Sequence, residues 1–318
     1  QGVSSAASDV YKRQRHIQLI ALGGSIGTGL FIGSGQNLAT GGPGSLMLGF
    51  IIVAVCVILT MLSLGELAAV LPVSGSFCTY SVRFLDPSWG FAMGWNYWLQ
   101  WLAAFPLEAT AVTIVISFWD KDETVPRGVW VAIYLVLMMS IHLIGVRGYG
   151  EFEFLAALIK ILGCLGFIIA CIVIDVGGSP RGEYLGAHSW HHPPPFLNGF
   201  KGFCSVFITA AFAYSGTEIV GIAAAESSNP RKYIPRATKQ VVGRVLLFYI
   251  ISILMITFIV PSDTKSLMGD SNDPSSSPFV IALQQGQIHA LPQIFNAIIL
   301  ISALSVGNCL LYTSDAAD

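Results

Sequence analysis

Eight apolar segments alternate with short polar stretches along this chain, near residues 17–40, 45–71, 90–118, 128–146, 152–175, 200–224, 243–261 and 292–311. Each approaches or exceeds the roughly 20 residues a helix needs to cross a hydrocarbon core at 1.5 Å per residue. The pattern predicts an all-α polytopic membrane protein. No soluble domain separates the segments. Only the connections 175–199 and 262–291 are long, and both are rich in Pro, Gly or Ser.

Composition agrees with that pattern. Of the 318 residues, 54% are hydrophobic and 11% charged, against about 25% charged in ordinary soluble domains. So few charges cannot cover the surface of a soluble chain of this size. The formal net charge of −2 and the lack of a strongly basic tail argue against a nucleic-acid partner. Six cysteines lie in apolar segments or, for Cys78, in a short connection, and none forms a CxxC pair. Neither a disulfide framework nor a metal site is therefore expected.

Both ends depart from the pattern. "QGVSSAASDVYKRQ" at 1–14 has no helical period, and "CLLYTSDAAD" at 309–318 cuts short an apolar run. The two resemble translated adapter sequence, so the fold is expected within 15–308, with both tails outside it.

Basic residues orient membrane helices because they resist translocation. With the amino end inside, one side holds Lys12, Arg13, Arg15, Arg83, Arg147, Arg231, Lys232, Arg236, Lys239 and Arg244, and the other Lys121, Arg127, Arg181, Lys201 and Lys265. Five of the first group crowd into "NPRKYIPRATKQVVGR" after the sixth segment. A cytoplasmic amino terminus is expected.

Two segments carry glycine and polar residues at membrane depth. The first contains "LGGSIGTGLF" and the sixth "AFAYSGTEIVG". Glycine destabilises a helix interior by about 1 kcal/mol relative to alanine. Taken alone, the first segment has two readings. Gly23/Gly27 and Gly29/Gly33 are spaced for close helix packing, or the helix is broken there to line a site. The matching break five segments later favours the second reading, because an inverted repeat of five helices places its binding site between two such breaks. Dinucleotide and phosphate loops do not fit: no strand precedes the glycines, no acid stands about 20 residues on, and Gly-Lys-Ser/Thr is missing.

A half-helix starting near Gly29 presents free N–H groups and the positive end of its dipole, which suit a carboxylate. Exposed carbonyls at the opposing ends suit an ammonium. A cavity offering both fits a zwitterion, and a free α-amino acid is the simplest such solute.

The stretches "RHIQLIALGGSIGTGLFIGSG", "GGPGSL", "SLGELAAVLPVSGSF", "GFAMGWNYWLQW", "PLEATA", "FITAAFAYSGTEIVGIAAAESSNPRKYIPRA" and "ILISALSVGN" resemble the yeast amino acid transporter family of the amino acid–polyamine–organocation permeases. The resemblance covers nearly all of 15–308. It implies twelve spans, the first ten in two inverted five-helix repeats, and proton-coupled uptake of amino acids by alternating access. On that basis the first repeat is expected over about 15–176 and the start of the second over 198–308. The resemblance also implies that the substrate carboxylate meets the amides of Thr28 and Gly29, and that the ammonium meets carbonyls near Ser25, Phe212 and Ser215. Phe212 would close over the substrate, with Ile26, Gly27, Ala213, Tyr214 and Gly216 completing the two unwound stretches. Helices nine to twelve of the family pattern are missing from this chain, so it is not expected to transport by itself.

Charges at depth supply further candidates. A lysine near the bilayer centre costs about 2.5–3.5 kcal/mol on insertion scales, and Lys160 lies mid-segment in "LAALIKILGCLGF". In the superfamily a lysine at this place is thought to replace a sodium ion beside the first break, which implies a role in proton coupling. The alternative is a lysine that snorkels to the interface about eight residues away. Glu218 either caps freed amides after the second break or takes part in proton coupling. Glu108 either relays protons or satisfies a neighbouring hydroxyl. Glu66, near the end of the second segment, is expected to be structural. His188, His191 and His192 are expected in a solvated loop, and Trp95, Trp98 and Trp101 in an interfacial belt or a helix contact.

The sequence thus points to a secondary transporter for L-amino acids in the plasma membrane, with protons as coupling ion and no cofactor. An amino acid receptor of the same fold is the alternative function. An intramembrane enzyme is disfavoured because HExxH, GxSxG and an aspartate pair at depth are missing. A channel is disfavoured because no charge ring appears.

Overall fold

A reversal at Gly42 folds the first two apolar segments into one bent element. The computed structural model describes residues 26–73, 75–120, 122, 124–143, 146–218, 230–268 and 277–315, and all regular structure among them is helical. A π-helical turn, Gly29–Gly33, runs directly into α1, Ser34–Val70. These 42 residues would measure about 63 Å if straight, twice a hydrocarbon core. Instead Gly42 adopts φ 79°, ψ 169°, a region essentially reserved for glycine, and Pro43 follows without an N–H. The backbone groups freed at the bend are met by the 176–198 loop. Leu197 N–H donates to the Gly41 carbonyl at 2.9 Å and Gly44 N–H to the Pro195 carbonyl at 2.8 Å. Asn198 Nδ2 donates to the Thr40 carbonyl at 2.8 Å. The legs 29–41 and 43–70 thus correspond to the first two segments, the start of the first (17–25) lying outside the described residues.

The next elements follow the sequence pattern with shifted ends. A short helix α2, Ser76–Phe84, stands where a plain connection was expected, and it carries Cys78. The long helix α3, Pro87–Ile116, starts from Asp86, whose side chain accepts Ser88 N–H at 2.8 Å. Donors from Ser88 hold the Asp86 carboxyl below its ordinary range, so this cap persists at neutral pH and is lost only as pH falls through that lowered value. Then come α4 (Arg127–Leu143), α5 (Val146–Asp175) and α6 (Gly199–Ala213). His188, His191 and His192 lie in the loop before α6, and the described residues contain no group of His, Cys, Asp and Glu able to hold a metal.

The basic stretch after the sixth segment is a helix rather than a loop. Helix α7, Pro230–Arg244, continues through a π-helical turn, Val245–Ile250, into α8, Ile251–Ile259. Ile234, Ala237, Thr238, Val241 and Val245 are buried, whereas Arg231, Lys232, Arg236 and Lys239 are exposed. That is the spacing of an amphipathic helix. Arg244, counted above among the surface cations, is buried, so it belongs to the interior and not to the orienting charge.

The expected long connection at 262–291 also holds structure: α9 (Lys265–Met268) and α10 (Pro278–Gln285), with 269–276 outside the described residues. Residues 278–283 are buried throughout. Phe279 on α10 joins Phe31, Phe167 of α5 and Phe295 of the last helix, α11 (Ala290–Asp315), in a cluster with ring centroids 4.5–5.7 Å apart. Edge-to-face and offset rings at these separations add to the burial that ties the helices together. Five of the helical stretches are long and apolar enough to cross a membrane, and the 127–141 and 199–213 stretches are shorter apolar helices.

The Gly42 bend allows a direct test. A Cβ there would lie 2.7 Å from the Pro195 carbonyl oxygen on a backbone that other residues rarely adopt. Gly42→Ala should lower stability by about 1–3 kcal/mol, seen as a reduced melting temperature of the purified protein in detergent. An unchanged melting temperature would show that the bend tolerates a side chain.

Candidate functional site

The two interruptions face each other. Ile26 and Gly27 are non-helical and the helix opens at Thr28. Leu30 and Phe31 N–H both turn back to the Gly27 carbonyl, at 3.2 and 3.3 Å. A helix start leaves its first N–H groups without intrahelical acceptors, here those of Thr28 and Gly29. The neighbouring carbonyls are already satisfied: Ser302 Oγ donates to Ile26 O and Ser277 Oγ to Phe31 O, both at 2.7 Å. Such side-chain donors make irregular backbone tolerable at membrane depth. Ser25 lies outside the described residues.

On the other side α6 ends at Ala213, and Tyr214 to Glu218 form a turn in which Gly216 has φ 85°. The continuation, 219–229, is outside the described residues. Ser215 donates twice to the Phe212 carbonyl, from its N–H at 3.1 Å and its hydroxyl at 2.7 Å. A carbonyl has two lone pairs, so an ammonium arriving at this oxygen has to displace the Ser215 hydroxyl. Tyr214 is buried against Phe50 and Tyr249, and its hydroxyl donates to Phe50 O at 3.2 Å. It therefore fixes the turn from behind.

Between the breaks is a cavity of about 30 Å³, room for a water or two and too small for an amino acid. Gly27, Gly29, Phe212, Ala213, Ser215 and Gly216 line it, together with Trp101, Ala104 and Glu108 of α3 and Val306, Cys309 and Leu310 of α11. The glycines set how closely the two breaks approach. A Cβ on Gly29 would lie 2.8 Å from the Phe212 ring and 3.0 Å from Ala213 Cα, and one on Gly27 would lie 3.0 Å from Val306. Close-packing glycines and a cavity thus coexist here.

Glu108 supplies the charge at the cavity wall. It is 1% exposed, and its Oε1 accepts the Thr28 hydroxyl at 2.8 Å. Its other oxygen, Oε2, is buried without a hydrogen-bond partner. A buried carboxylate oxygen left bare is costly, which suits a group awaiting a proton or a cation.

Lys160 is fully buried, so it does not snorkel to an interface; its helix extends 14 residues towards the amino end, to Val146. The carboxylates of Glu153 and Glu108 both act on it. Glu218 is the last described residue of the turn, near Tyr97 of α3 and Arg244 of α7. The backbone of Gly216 and of Glu218 itself also acts on this carboxyl, as the capping alternative has it, and Lys160 is not among the groups that do. Glu66 is exposed on α1, away from the cavity.

Three contributors were not expected from sequence. Trp101 lines the cavity, whereas Trp95 and Trp98 are about half exposed and pack ring to ring at 5.5 Å. The belt reading therefore suits those two and not Trp101. Glu153 is buried and accepts hydrogen bonds from Ser305 and Asn308; its spacing of seven from Lys160, two helical turns, was the available signal. Ser302 had none, because a lone serine in an apolar run is unremarkable.

Residues 16–315 match the family described as amino acid permease. A general amino-acid permease of Candida albicans is 49% identical over 304 residues, covering 95% of this chain and 51% of the relative. A general amino-acid permease of Saccharomyces cerevisiae is 47% identical over 306 residues, and a cationic amino acid transporter of Schizosaccharomyces pombe 45% over 304; these cover 94% and 95% of this chain and 51% of each relative. The chain spans about half the length of the curated relatives it matches.

The close approach at Gly29 predicts a specific defect. In the full-length protein, Gly29→Ala should displace Phe212 and raise the apparent KM for amino acid uptake by about tenfold, equivalent to 1.4 kcal/mol, with surface expression retained. An unaltered KM would remove Gly29 and Phe212 from the binding step.

Proposed function

This chain belongs to the amino acid permease family, and from that premise we propose that the whole protein carries free L-amino acids across the plasma membrane together with protons. The observation that supports this most is the pair of facing helix interruptions, five spans apart, with the bare Glu108 oxygen between them. The substrate carboxylate takes the N–H groups of Thr28 and Gly29, where the helix dipole favours an anion. The ammonium takes oxygens on the opposite wall: the Ser215 hydroxyl, and the Phe212 carbonyl once that hydroxyl has turned away. Ile26 and Gly27 complete the first unwound stretch, and Ala213, Tyr214 and Gly216 the second.

A cavity of about 30 Å³ has to enlarge before an amino acid fits. The Phe212 ring, lying on Gly29, is the wall that can rotate without moving a helix axis. Larger motion follows the inverted-repeat scheme, in which one bundle rocks against the other and exposes the site to each side in turn. Lys160 and Glu108 carry the coupling charge beside the first break. Glu218, on the flank of the second break, adds a third ionisable group to the pathway. The amino terminus faces the cytoplasm in this reading, and the cationic face of α7 lies on the same side.

Two measurements test the proposal. In the full-length protein, Lys160→Met should abolish the pH dependence of uptake between about pH 4 and 8, because this cation is the group whose protonation is coupled to transport; a wild-type profile would overturn that role. In competition assays, α-amino acids should inhibit uptake, whereas the matching amino alcohols, which have no carboxylate for the Thr28–Gly29 amides, should be weaker by about tenfold or more. Equal inhibition by the two series would overturn recognition of the zwitterion.

A further inference from the structure

Helix α5 carries two buried charged side chains on one face. Glu153 is 1% exposed and Lys160 0%, and seven residues place them two turns apart along the same side. Glu153 and Glu108 are the two carboxylates that act on Lys160. The other titratable groups that face the lysine are the thiols of Cys309 and Cys164. Helices α8 and α10, which contain no charged residue, also pack against α5, as do α4, which carries Arg127 and Tyr134, and the π-helical turn with Tyr249.

The partners of Glu153 come from another helix. Ser305 Oγ donates to Oε2 at 2.7 Å and Asn308 Nδ2 to Oε1 at 3.0 Å. Both donors are on α11, which runs along α5 and lines the cavity through Val306. Contact between the helices is tight: a Cβ on Gly163 would lie 2.9 Å from Ile298 of α11. The same stretch of α11 holds the unwound backbone in place, through Ser302 on the Ile26 carbonyl. Between Ser302 and Asn308, α11 thus touches the first break, the cavity and the carboxylate.

A buried carboxylate has to be compensated by hydrogen bonds or by charge. Here the hydrogen bonds depend on how α11 is seated and the charge depends on Lys160. If α11 shifts along α5, both donors leave Glu153 together. The carboxylate then has only the lysine or a proton to neutralise it.

We infer that Glu153 is a positioning residue that links the seating of α11 against α5 to the charge on Lys160, so that proton-driven accumulation requires it. The inference rests on the proposed coupling role of Lys160 and extends it to a second carboxylate. In this arrangement Glu108 faces the cavity, while Glu153 faces α11.

The test compares two transport modes of the full-length protein reconstituted in vesicles, with an equimolar mixture of radiolabelled common L-amino acids. Accumulation driven by an imposed proton gradient requires coupling, whereas exchange of internal for external amino acid needs no net proton movement. Glu153→Gln should lower accumulation by about tenfold, within the usual range of coupling between sites, and leave exchange near wild type. Glu153→Asp should restore part of the accumulation. An equal fall in both modes, or no fall in accumulation, would overturn the inference. Should Glu153→Gln fail to fold, the double variant Ser305→Ala, Asn308→Ala removes both donors to Glu153 instead and is read in the same two assays. A wild-type protein that exchanges amino acids but ignores the proton gradient would overturn the coupling role of Lys160, and this inference with it.

Discussion

Backbone hydrogen bonding inside a membrane is the constraint on which this structure depends. A bilayer core offers no water, so each N–H and C=O released by an irregular helix needs a partner from the protein or from a cavity. At the Gly42 bend the partners come from a loop, through Leu197, Pro195 and Asn198. At the first interruption serines on two other helical regions serve, Ser302 on Ile26 and Ser277 on Phe31. At the second, Ser215 folds back onto Phe212. The N–H groups of Thr28 and Gly29 differ, because a helix start gives them no intrahelical acceptor, and Gly29 lines the cavity. What remains polar and unmet after the protein has supplied its own partners is what a solute can use.

The charged side chains follow the same logic at higher cost. Glu108 shares one oxygen with Thr28, and Glu153 divides its two between Ser305 and Asn308. Both carboxylates act on Lys160, and through their partners they connect α5 with α11 and α3 with the first interruption. Breaking a buried pair by removing one member costs far more than replacing both, typically 3–5 kcal/mol. Side chains joined in this way respond as a group.

The apolar runs made the helices legible in the sequence, and polar residues inside those runs made the site legible. Gly27, Gly216, Glu108 and Lys160 stood out because each is out of place in a lipid-facing helix. What stayed hidden lacked that contrast. Glu153 sits in "GYGEFEFL", where a carboxylate near a segment start looks interfacial, and only its register with Lys160 distinguishes it. Arg244 was masked by four neighbouring cations that are exposed on α7, although its helical register places it on the buried side with Val241 and Val245. Trp101 shares a period of three with two lipid-facing tryptophans. Helix α10 was read as loop because Pro, Ser and Gly surround it, yet it is held by aromatic contacts made far away in sequence.

The glycines of the opening motif therefore do two jobs that the sequence presented as alternatives. At Gly29 the missing side chain lets the Phe212 ring lie against the helix start, and at Gly27 it lets Val306 of α11 approach. At Gly216 a positive φ turns the chain so that the end of α6 faces that start. Close packing and a cavity coexist because the groups that the glycines let approach, Phe212, Ala213 and Val306, are themselves walls of the cavity. A side chain at Gly29 would oppose both at once: it would push Phe212 away and screen the N–H groups beneath it. The space between the two interrupted helices is thus set at Gly29 by the Phe212 ring and at Gly27 by Val306.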